Sequence, residues 1–552
     1  MLFNDQATVD QNLSGISRMN ILLVGSVFAA RTKRSSVDWR NRDVLSLWFG
    51  PANNSLANSI YSKLLKWKSE GRSIVILNTH TSLKLLEKGF HLGENNTIPN
   101  EEAERRIFKA YLLLNELDNN KDNKIFSSLE SQTDELRFPF LILTQSFRYA
   151  DITMFNYSEV FSDQLVKAVY FFEFIEEQYP NILEAFLKYY ECTSWREYLQ
   201  KLLPLIHNCL KNSGDKATDI VVVTDEKFEF NTKFIEKLSF TTEIDELKDY
   251  DFVSLRNRPF FKKEDGSYRV IFDLFVFEKI FNGIYFTLRS LPELANNNLK
   301  DIFTFQFSEK ILLYKLLPRM FSRVTKKFSG DELDKQGVVG APDYYIRRKR
   351  HIFLFESKDI ILNAEIKEST TFEDYEKEIK KKLYVDETGK KPKAKAVLQL
   401  IHNIRKILSA DVTYDEVHSI KRIYPIVVVH SRQFNVGGLN HLLNVWFRKE
   451  LDALAKDGLN IRRVSQLTIV TSATLLHYSD ILDDKYCPFN EVIERYHRAT
   501  SIRRQIRSRN KEELEETLLN QIVPFSMFVA RLNPKVKVPK ILKSAGKRIF
   551  EK

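Results

Sequence analysis

Cysteine is scarce in this sequence, since only Cys192, Cys209 and Cys487 occur among 552 residues. No CxxC motif and no cysteine–histidine spacing accompanies them. The pattern therefore argues against a zinc site and more strongly against a disulfide framework. So little cysteine is typical of a reducing compartment, and we expect the protein to be cytoplasmic.

Glycine and proline are also sparse, with 17 and 15 residues, which favours long regular elements, above all helices, over a loop-rich all-β fold. Long apolar runs are lacking as well. The one candidate for a membrane or export segment, Ile21 to Ala30, is too short to span a bilayer. Asp5 and Asp10 oppose an export signal. We interpret the segment as a buried strand or helix and expect no membrane partner.

Positive charge is in modest excess, because 84 Lys and Arg residues outnumber 73 Asp and Glu residues. A net charge of +11 suits a polyanionic partner such as nucleic acid. Two clusters of basic residues near the C-terminus could neutralise the phosphates of a nucleic acid without recognising its base sequence. Alternatively, they could be solvent-exposed charges without a partner role. These nucleic-acid-binding candidates are Arg503, Arg504, Arg507, Lys543 and Lys547. No helix-turn-helix or zinc-finger pattern accompanies them.

The order of apolar patterns predicts three regions. Residues 1–240 form a mostly helical N-terminal domain, 241–480 an α/β domain, and 481–552 a basic helical C-terminal segment. In the middle region the elements predicted are a helix over Ser308 to Met320 capped by Ser308, strands Asp343 to Ile346 and His351 to Ser357, helix Ala394 to Leu408, strand Ile423 to Val429, helix Leu439 to Leu454 and strand Leu467 to Val470. The charged segment Glu373 to Lys395 is interpreted as a mobile insertion.

One apolar strand in this region ends on charge, at Glu356 and Lys358. Residues two apart on a strand share a face, so these two side chains project together. Buried charges are costly unless they are paired or hold a metal. If Arg347 to Arg350 form a tight connection, Asp343 lies opposite Leu354 on the neighbouring strand. A twist or bulge could then bring Asp343 and Glu356 within reach of one cation.

Two carboxylates at one point suit Mg²⁺, which prefers oxygen ligands and keeps positions open to water and phosphate. Such a cation offsets charge in phosphodiester hydrolysis and lowers the pKa of bound water. Lys358 could orient that water, help to deprotonate it or stabilise developing negative charge, and the sequence leaves these roles open. The alternative is a solvent-facing salt bridge worth about 0–1 kcal/mol. We interpret the nearby His402 and His430 as structural histidines.

Pro342-Asp343, followed after twelve residues by Glu356-Ser357-Lys358, resembles the motif of the PD-(D/E)XK nuclease superfamily. The surrounding order of helices and strands is similar to the core of that family, which runs α-β-β-β-α-β. The resemblance implies a restriction-endonuclease-like mixed sheet flanked by helices. It also implies Asp343 and Glu356 as ligands of Mg²⁺, for which Mn²⁺ can substitute, with the Ser357 carbonyl as a third ligand and Lys358 as the catalytic lysine.

Two further residues match positions used in parts of this family. Glu309 matches an acidic residue on the first core helix, and Gln399 matches a glutamine on the helix after the lysine strand. Asn403 stands where some branches carry tyrosine. Each match has an alternative: a Glu in a first helical turn is favoured by the helix dipole, and Gln399 could bond to a neighbouring loop. Glu332 could also replace Glu309 in the acidic role.

The resulting expectation is a Mg²⁺-dependent endonuclease that hydrolyses phosphodiester bonds, with DNA favoured as substrate. One nuclease core beside a large unassigned region resembles nucleases of prokaryotic restriction and anti-phage defence systems. There the N-terminal region would recognise a trigger, assemble a homo-oligomer or respond to a defence-system partner protein. The alternatives are cleavage of RNA or branched DNA by the same site, or a catalytically inert nucleic-acid-binding scaffold.

Overall fold

The structure, a computed structural model, describes residues 7–32, 41–72, 74–92, 97–153, 155–211, 217–240, 252–482, 488–501, 510–532 and 538–551. The chain divides into two compact units. The first comprises Met1–Asn123 and Glu184–Ser290, and the second comprises Lys124–Leu183 and Leu291–Lys552. The predicted boundaries at residues 240 and 480 do not coincide with the edges of these units, because 124–183 belongs with the later part of the chain.

The elements are numbered in chain order. The helices up to residue 290 are Val9–Leu13 (α1), Arg18–Arg31 (α2), Asn41–Trp48 (α3), Asn54–Ser69 (α4), Thr79–His91 (α5), Asn100–Ser128 (α6), Asp134–Thr153 (α7), Tyr157–Gln178 (α8), Pro180–Tyr190 (α9), Trp195–Lys211 (α10), Phe228–Lys237 (α11), Val253–Asn257 (α12), Asp273–Glu278 (α13) and Asn282–Ser290 (α14). The later helices are Leu299–Asp301 (α15), Tyr314–Met320 (α16), Gly330–Lys335 (α17), Ala364–Lys367 (α18), Phe372–Leu383 (α19), Ala396–Leu408 (α20), Leu439–Lys456 (α21), Ser472–His477 (α22), Phe489–Ala499 (α23), Lys511–Asn520 (α24), Phe525–Arg531 (α25) and Lys540–Phe550 (α26). A π-helical segment, Ile302–Leu313, joins α15 to α16.

The strands are Asp219–Ile220 (β1), Ser239–Phe240 (β2), Phe260–Lys262 (β3), Tyr268–Val270 (β4), Lys326–Ser329 (β5), Tyr344–Arg348 (β6), His351–Lys358 (β7), Val385–Asp386 (β8), Lys393–Ala394 (β9), Arg422–Val429 (β10) and Thr468–Thr471 (β11).

The first unit is largely helical and carries a small sheet in the order β1-β4-β3-β2. Its helices α2 and α5 approach closely because glycine faces a large side chain on each: a Cβ on Gly25 would lie 2.7 Å from Leu86 Cγ, and one on Gly89 would lie 2.9 Å from Ile21 Cγ2. The apolar segment Ile21 to Ala30 lies within α2. No helix in the part of the chain that the structure describes is long and apolar enough to cross a membrane.

The second unit is built on a five-stranded mixed sheet in the order β11-β10-β7-β6-β5. Strand β10 runs parallel to both β7 and β11, whereas β6 runs antiparallel to both β7 and β5. Strand β7 is therefore central, and its run from Ile352 to Phe355 is buried on both faces. The predicted α/β class and the largely helical N-terminal region are confirmed at this level.

Helices cover both faces of this sheet. Ile352 and Leu354 belong to the apolar core that includes residues of α7, α19, α20 and α21. Phe353 points to the other face, where its ring lies 5.6 Å from that of Phe321 and 5.8 Å from that of Phe489. Because side chains alternate along the strand, Glu356 and Lys358 continue the face of Ile352 and Leu354, towards α20.

The chain between β7 and β10 crosses from one parallel strand to the next. Strand β10 starts beside the start of β7, with Arg422 opposite His351. Helix α20 precedes β10, so it runs back along the sheet and begins at the edge where β7 ends. The segment interpreted as a mobile insertion forms α19 and a hairpin of β8 and β9 that leads directly into α20.

Candidate active site

A two-residue turn between β6 and β7 sets the level of the acidic residues. Arg348 pairs with His351, and Lys349 adopts a left-handed conformation with φ +54°, as tight hairpin turns of this kind require. The predicted register was therefore wrong by two residues, since Tyr344 pairs with Phe355. When the observed pairing is extended by one residue before β6, Asp343 lies level with Glu356 rather than with Leu354. No bulge is therefore needed to bring the two carboxylates together.

Asp343, Glu356 and Lys358 are brought together at the end of β7. Lys358 Nζ lies 3.3 Å from Glu356 Oε2 and 3.7 Å from Asp343 Oδ2. The backbone N–H of Ser357 donates to Asp343 Oδ2 at 2.6 Å, which ties the start of β6 to the end of β7. The side chain of Glu356 is 1% exposed, and those of Asp343 and Lys358 are each 16% exposed. This arrangement is not the solvent-facing salt bridge that was the alternative.

Glu309 adds a third acid to this cluster. Burial, and then the charge of Asp343, raises the pKa of Glu309 to about 8, with Lys358 opposing the shift. Burial and Asp343 also raise the pKa of Glu356 well above its usual value. Although burial lowers the pKa of Lys358, the surrounding carboxylates raise it above its usual value. Three carboxyl groups thus face one ammonium group, and burial together with their mutual repulsion disfavours the ionised forms of Glu309 and Glu356.

Glu309 does not occupy a first helical turn, so the helix-dipole explanation for it is wrong. Ser308 was predicted as the N-cap, yet it lies inside the π-helical segment and its hydroxyl donates to Asp359 Oδ2 at 2.6 Å. The start of the helical run lies upstream, where the side chain of Asn298 accepts a hydrogen bond from the N–H of Asp301. Glu332, the alternative acid, is held by a capping box with Ser329.

The donor chemistry of the cluster fits a small divalent cation. Asp343 and Glu356 offer carboxylate oxygens from one face of two paired strands, which are ligands that Mg²⁺ prefers. Burial, and then the charge of Asp343, raises the pKa of Glu356 and so disfavours its ionised form, which a bound cation would favour. Among the described residues, however, no group of three or more His, Cys, Asp or Glu side chains is placed to hold a metal ion. The fit therefore rests on two carboxylates, with the Ser357 carbonyl as the implied further oxygen.

A buried polar chain supports the same strand from its other face. The hydroxyl of Ser357 lies 2.8 Å from Nε2 of His430, at the end of the neighbouring parallel strand. The backbone carbonyl of His430 accepts from Lys167 Nζ at 3.0 Å, and Lys167 is paired with Asp163 at 2.8 Å. Burial, and then the charges of Lys167 and Lys358, hold the pKa of His430 well below its usual value, so the ring is neutral.

Sequence reasoning found His430 but missed the residues that connect it to the strand. The signal that could have found Ser357 as its partner is the parallel order of β7 and β10, because the carboxyl ends of parallel strands meet at one edge. Lys167 gave no signal, since its helix α8 lies more than 200 residues earlier in the chain. The interpretation of His430 as a structural histidine agrees with its buried, bonded position.

Gln399 lies on α20, in the helix layer that packs on the Ile352 and Leu354 face of β7. Its side-chain oxygen Oε1 is enclosed and has no hydrogen-bond partner among the described residues, so the alternative of a bond to a neighbouring loop is not observed for that atom. Asn403, one turn later, donates to the backbone carbonyl of Gln399 at 3.0 Å. His402 is exposed beside Gly340.

The basic candidates near the C-terminus divide into two groups. Arg503, Arg504 and Arg507 lie outside the described residues. Lys543 and Lys547 are exposed on α26, whose opposite face buries Ile541, Ala545 and Ile549. Nη1 of Arg548, on the same helix, donates to both carboxylate oxygens of Glu173, at 2.7 and 3.0 Å. Helix α26 is thus fixed to α8, with its two lysines directed to solvent.

Comparison of the chain with protein-family models, with curated proteins and with solved structures gives no match.

Proposed function

We propose that this chain is a metal-dependent nuclease that hydrolyses phosphodiester bonds, with DNA as its substrate. The observation that carries the proposal is the meeting of Asp343, Glu356 and Lys358 at the end of a central strand, with Lys358 Nζ 3.3 Å and 3.7 Å from the two carboxylates. Two acids and a lysine that meet at the end of two paired strands, in a partly enclosed position, have a high electrostatic cost unless a ligand uses them.

The arrangement of elements supports the likeness to the PD-(D/E)XK core. The π-helical segment and α16 are followed by β5, β6 and β7, then by α20 and by the parallel strand β10. That succession follows the order α-β-β-β-α-β, with Asp343 directly before the second strand, Glu356 on the third and Gln399 on α20. The further elements are α17 between β5 and β6, and α18, α19 and the β8–β9 hairpin between β7 and α20. The proposed fold is accordingly a restriction-endonuclease-like mixed sheet with helices on both faces.

In this proposal Asp343 and Glu356 hold Mg²⁺, together with the Ser357 carbonyl, and Mn²⁺ can take its place. When bound, the cation would offset charge on the phosphate and lower the pKa of a water molecule. Lys358 carries hydrogen-bond donors and no acceptor as an ammonium group. We therefore assign it to orienting the water and stabilising negative charge on the phosphate oxygens, rather than to deprotonation.

Cleavage assays with single variants test the proposal. Purified protein is incubated with plasmid, linear duplex, single-stranded DNA and RNA, with Mg²⁺ or with chelator. We expect Mg²⁺-dependent cutting of duplex DNA, and losses of at least about 10²-fold for Asp343→Asn, Glu356→Gln and Lys358→Ala. Asp452→Asn and Lys449→Ala change exposed residues of α21 and serve as matched controls.

Each other outcome has a defined meaning. Cutting that survives Lys358→Ala would remove that residue from the site, and cutting of RNA alone would identify RNA as the substrate. Binding of nucleic acid without metal-dependent cutting would identify an inert scaffold instead. A role in prokaryotic anti-phage defence, with a homo-oligomer or a partner protein, stays a prediction from the resemblance alone.

A further inference from the structure

A lysine-rich hairpin projects from the second unit. Strands β8 and β9 pair with Val385 opposite Ala394, and we call residues 385–394 the lysine hairpin. Lys390, Lys391 and Lys393 are all exposed on it. Within the described residues none of these three forms an ion pair, although Lys395, just beyond the hairpin, is paired with Asp386. The hairpin thus presents three lysines to solvent, in a segment that also carries Asp386 and the exposed Glu387.

The shape of the hairpin is held by contacts at its base and its turn. The ring of Tyr384 stacks on Trp446 of α21, with centroids 5.4 Å apart, and its hydroxyl donates to Glu450 at 2.5 Å. The backbone N–H of Lys395 closes the base by donating to the Tyr384 carbonyl. In the turn, Asp386 accepts hydrogen bonds from the N–H and the hydroxyl of Thr388. A charged surface held in this way loses little conformational freedom when it binds.

The hairpin lies at the same edge of the sheet as the acidic cluster. It leads into α20, which begins where β7 ends, and β7 ends at Glu356 and Lys358. Gly340, three residues before Asp343, lies against His402 in the middle of α20, and Lys406 of the last turn donates to the Val339 carbonyl. Helix α20 therefore packs along the loop that enters the cluster. In open α/β sheets, ligands bind outside the carboxyl ends of the strands.

We infer that the lysine hairpin is a phosphate-binding arm that holds duplex DNA at the edge of the sheet carrying Asp343 and Glu356, an inference that rests on the proposed nuclease function. The hairpin offers no dedicated base-reading side chain in Lys390, Lys391 or Lys393, and ammonium groups contact phosphate as point charges. The arm is therefore expected to bind the backbone independently of sequence, in a salt-dependent manner.

Binding without cleavage tests the inference. The affinity for a short fluorescent DNA duplex is measured by anisotropy in chelator, at salt concentrations between about 50 and 200 mM. The test variant is Lys390→Glu/Lys391→Glu/Lys393→Glu. The control is Lys63→Glu/Lys66→Glu/Lys68→Glu, which makes the same charge change on three exposed lysines of α4. Circular dichroism and thermal unfolding of both variants check that the fold is kept.

We expect the hairpin variant to bind about tenfold more weakly or worse, and the slope of log affinity against log salt to fall by about two to three, whereas the α4 variant resembles the unchanged protein. The inference would be overturned if both variants lost the same affinity or if the hairpin variant lost none. It would also be overturned if the unchanged protein did not bind duplex DNA. The two proposals fail separately. If the unchanged protein binds duplex DNA but never cuts it, and the hairpin variant loses that binding, the phosphate-binding role of the hairpin is kept and the nuclease function is rejected.

Discussion

His430 Nε2 lies 2.8 Å from Ser357 Oγ, on the face of β7 opposite to Glu356. Ser357 stands between the two charged residues of the strand, so this bond fixes the backbone from which both side chains project. The imidazole is buried and neutral, and its own carbonyl is held by Lys167. The backbone from which Glu356 and Lys358 project is therefore supported by a buried polar chain on the opposite face of the strand.

Ser357→Ala should reduce both stability and metal affinity. The substitution leaves Nε2 of His430 buried without a partner, which costs about 1–3 kcal/mol of unfolding free energy. Because the backbone of Ser357 carries an expected metal ligand, the Mg²⁺ concentration for half-maximal cleavage should rise. Urea unfolding and a Mg²⁺ titration measure the two effects. Ser357→Thr, which keeps the hydroxyl, should retain more of both properties, and the exposed Ser409→Ala should change neither.

Glu309→Gln should stabilise the metal-free protein while raising its need for Mg²⁺. The substitution removes one acid from a cluster in which burial, and then the charge of Asp343, raises the pKa of Glu309 to about 8. We expect a gain of about 0.5–2 kcal/mol in unfolding free energy in chelator. Thermal unfolding with and without Mg²⁺ measures this gain, with the exposed Glu365→Gln as control. A lower midpoint in chelator would show that Glu309 is a structural partner rather than a source of repulsion.

His497 should make stability fall as the pH is lowered from about 6.5 to 4. Burial, and then the charge of Arg422, lowers the pKa of His497 to about 4, and its ring nitrogens bond to the hydroxyls of Ser465 and Thr468. Between these pH values the unfolded chain binds a proton that the folded chain refuses, so unfolding is favoured by up to about 3 kcal/mol. Above pH 6.5 the full stability is present.

Urea unfolding at several pH values between about 7.5 and 4 checks this dependence. His497→Gln should show a flatter loss of stability towards acid than the unchanged protein, even if its stability at neutral pH is lower. His418→Gln changes an exposed histidine and should keep the original slope. Identical slopes for the unchanged protein and His497→Gln would contradict the prediction.

Lys167→Met should destabilise the second unit strongly. Lys167 and Asp163 are each only 2% exposed in their side chains and lie 2.8 Å apart. Removing the cation leaves a buried carboxylate uncompensated, which costs about 3–5 kcal/mol. The double variant Asp163→Leu/Lys167→Met should lose much less in urea unfolding, because no unpaired charge remains. The exposed Lys449→Met is the control. A double variant as unstable as the single one would locate the cost in the lost bond to the His430 carbonyl.

The strands and helices around the central sheet were predictable because buried elements carry apolar residues with a regular spacing in the sequence. The apolar runs that predicted strand Ile423 to Val429 and helix Ala394 to Leu408 give bounds within two residues of those observed. The same runs predicted β7 and the projection of Glu356 and Lys358 to one face. These are local properties of chain periodicity, and they were sufficient to predict that Glu356 and Lys358 project together.

The register and the helix start were not predictable in the same way. A positive φ at Lys349 leaves no mark in the sequence, since lysine seldom adopts it, and the expected four-residue connection shifted the strands by two. Serine is a common helix N-cap residue, which made Ser308 a candidate. The helical run nevertheless begins upstream of it, and Asn298 is the residue whose side chain caps it. The support from Lys167 depends on packing between segments far apart in the chain, which no local pattern encodes.

Strand β7 has paired neighbours along both of its edges and helices over both of its faces. Its amide hydrogens should therefore exchange with solvent only through the rarest openings of the second unit, more slowly than those of the two-residue strands of the lysine hairpin. Asp343 and Glu356 would then keep their spacing while peripheral parts of the second unit, such as the lysine hairpin, open and close locally. In the proposed nuclease, the residues assigned to catalysis would thus stand on the part of the second unit that opens least.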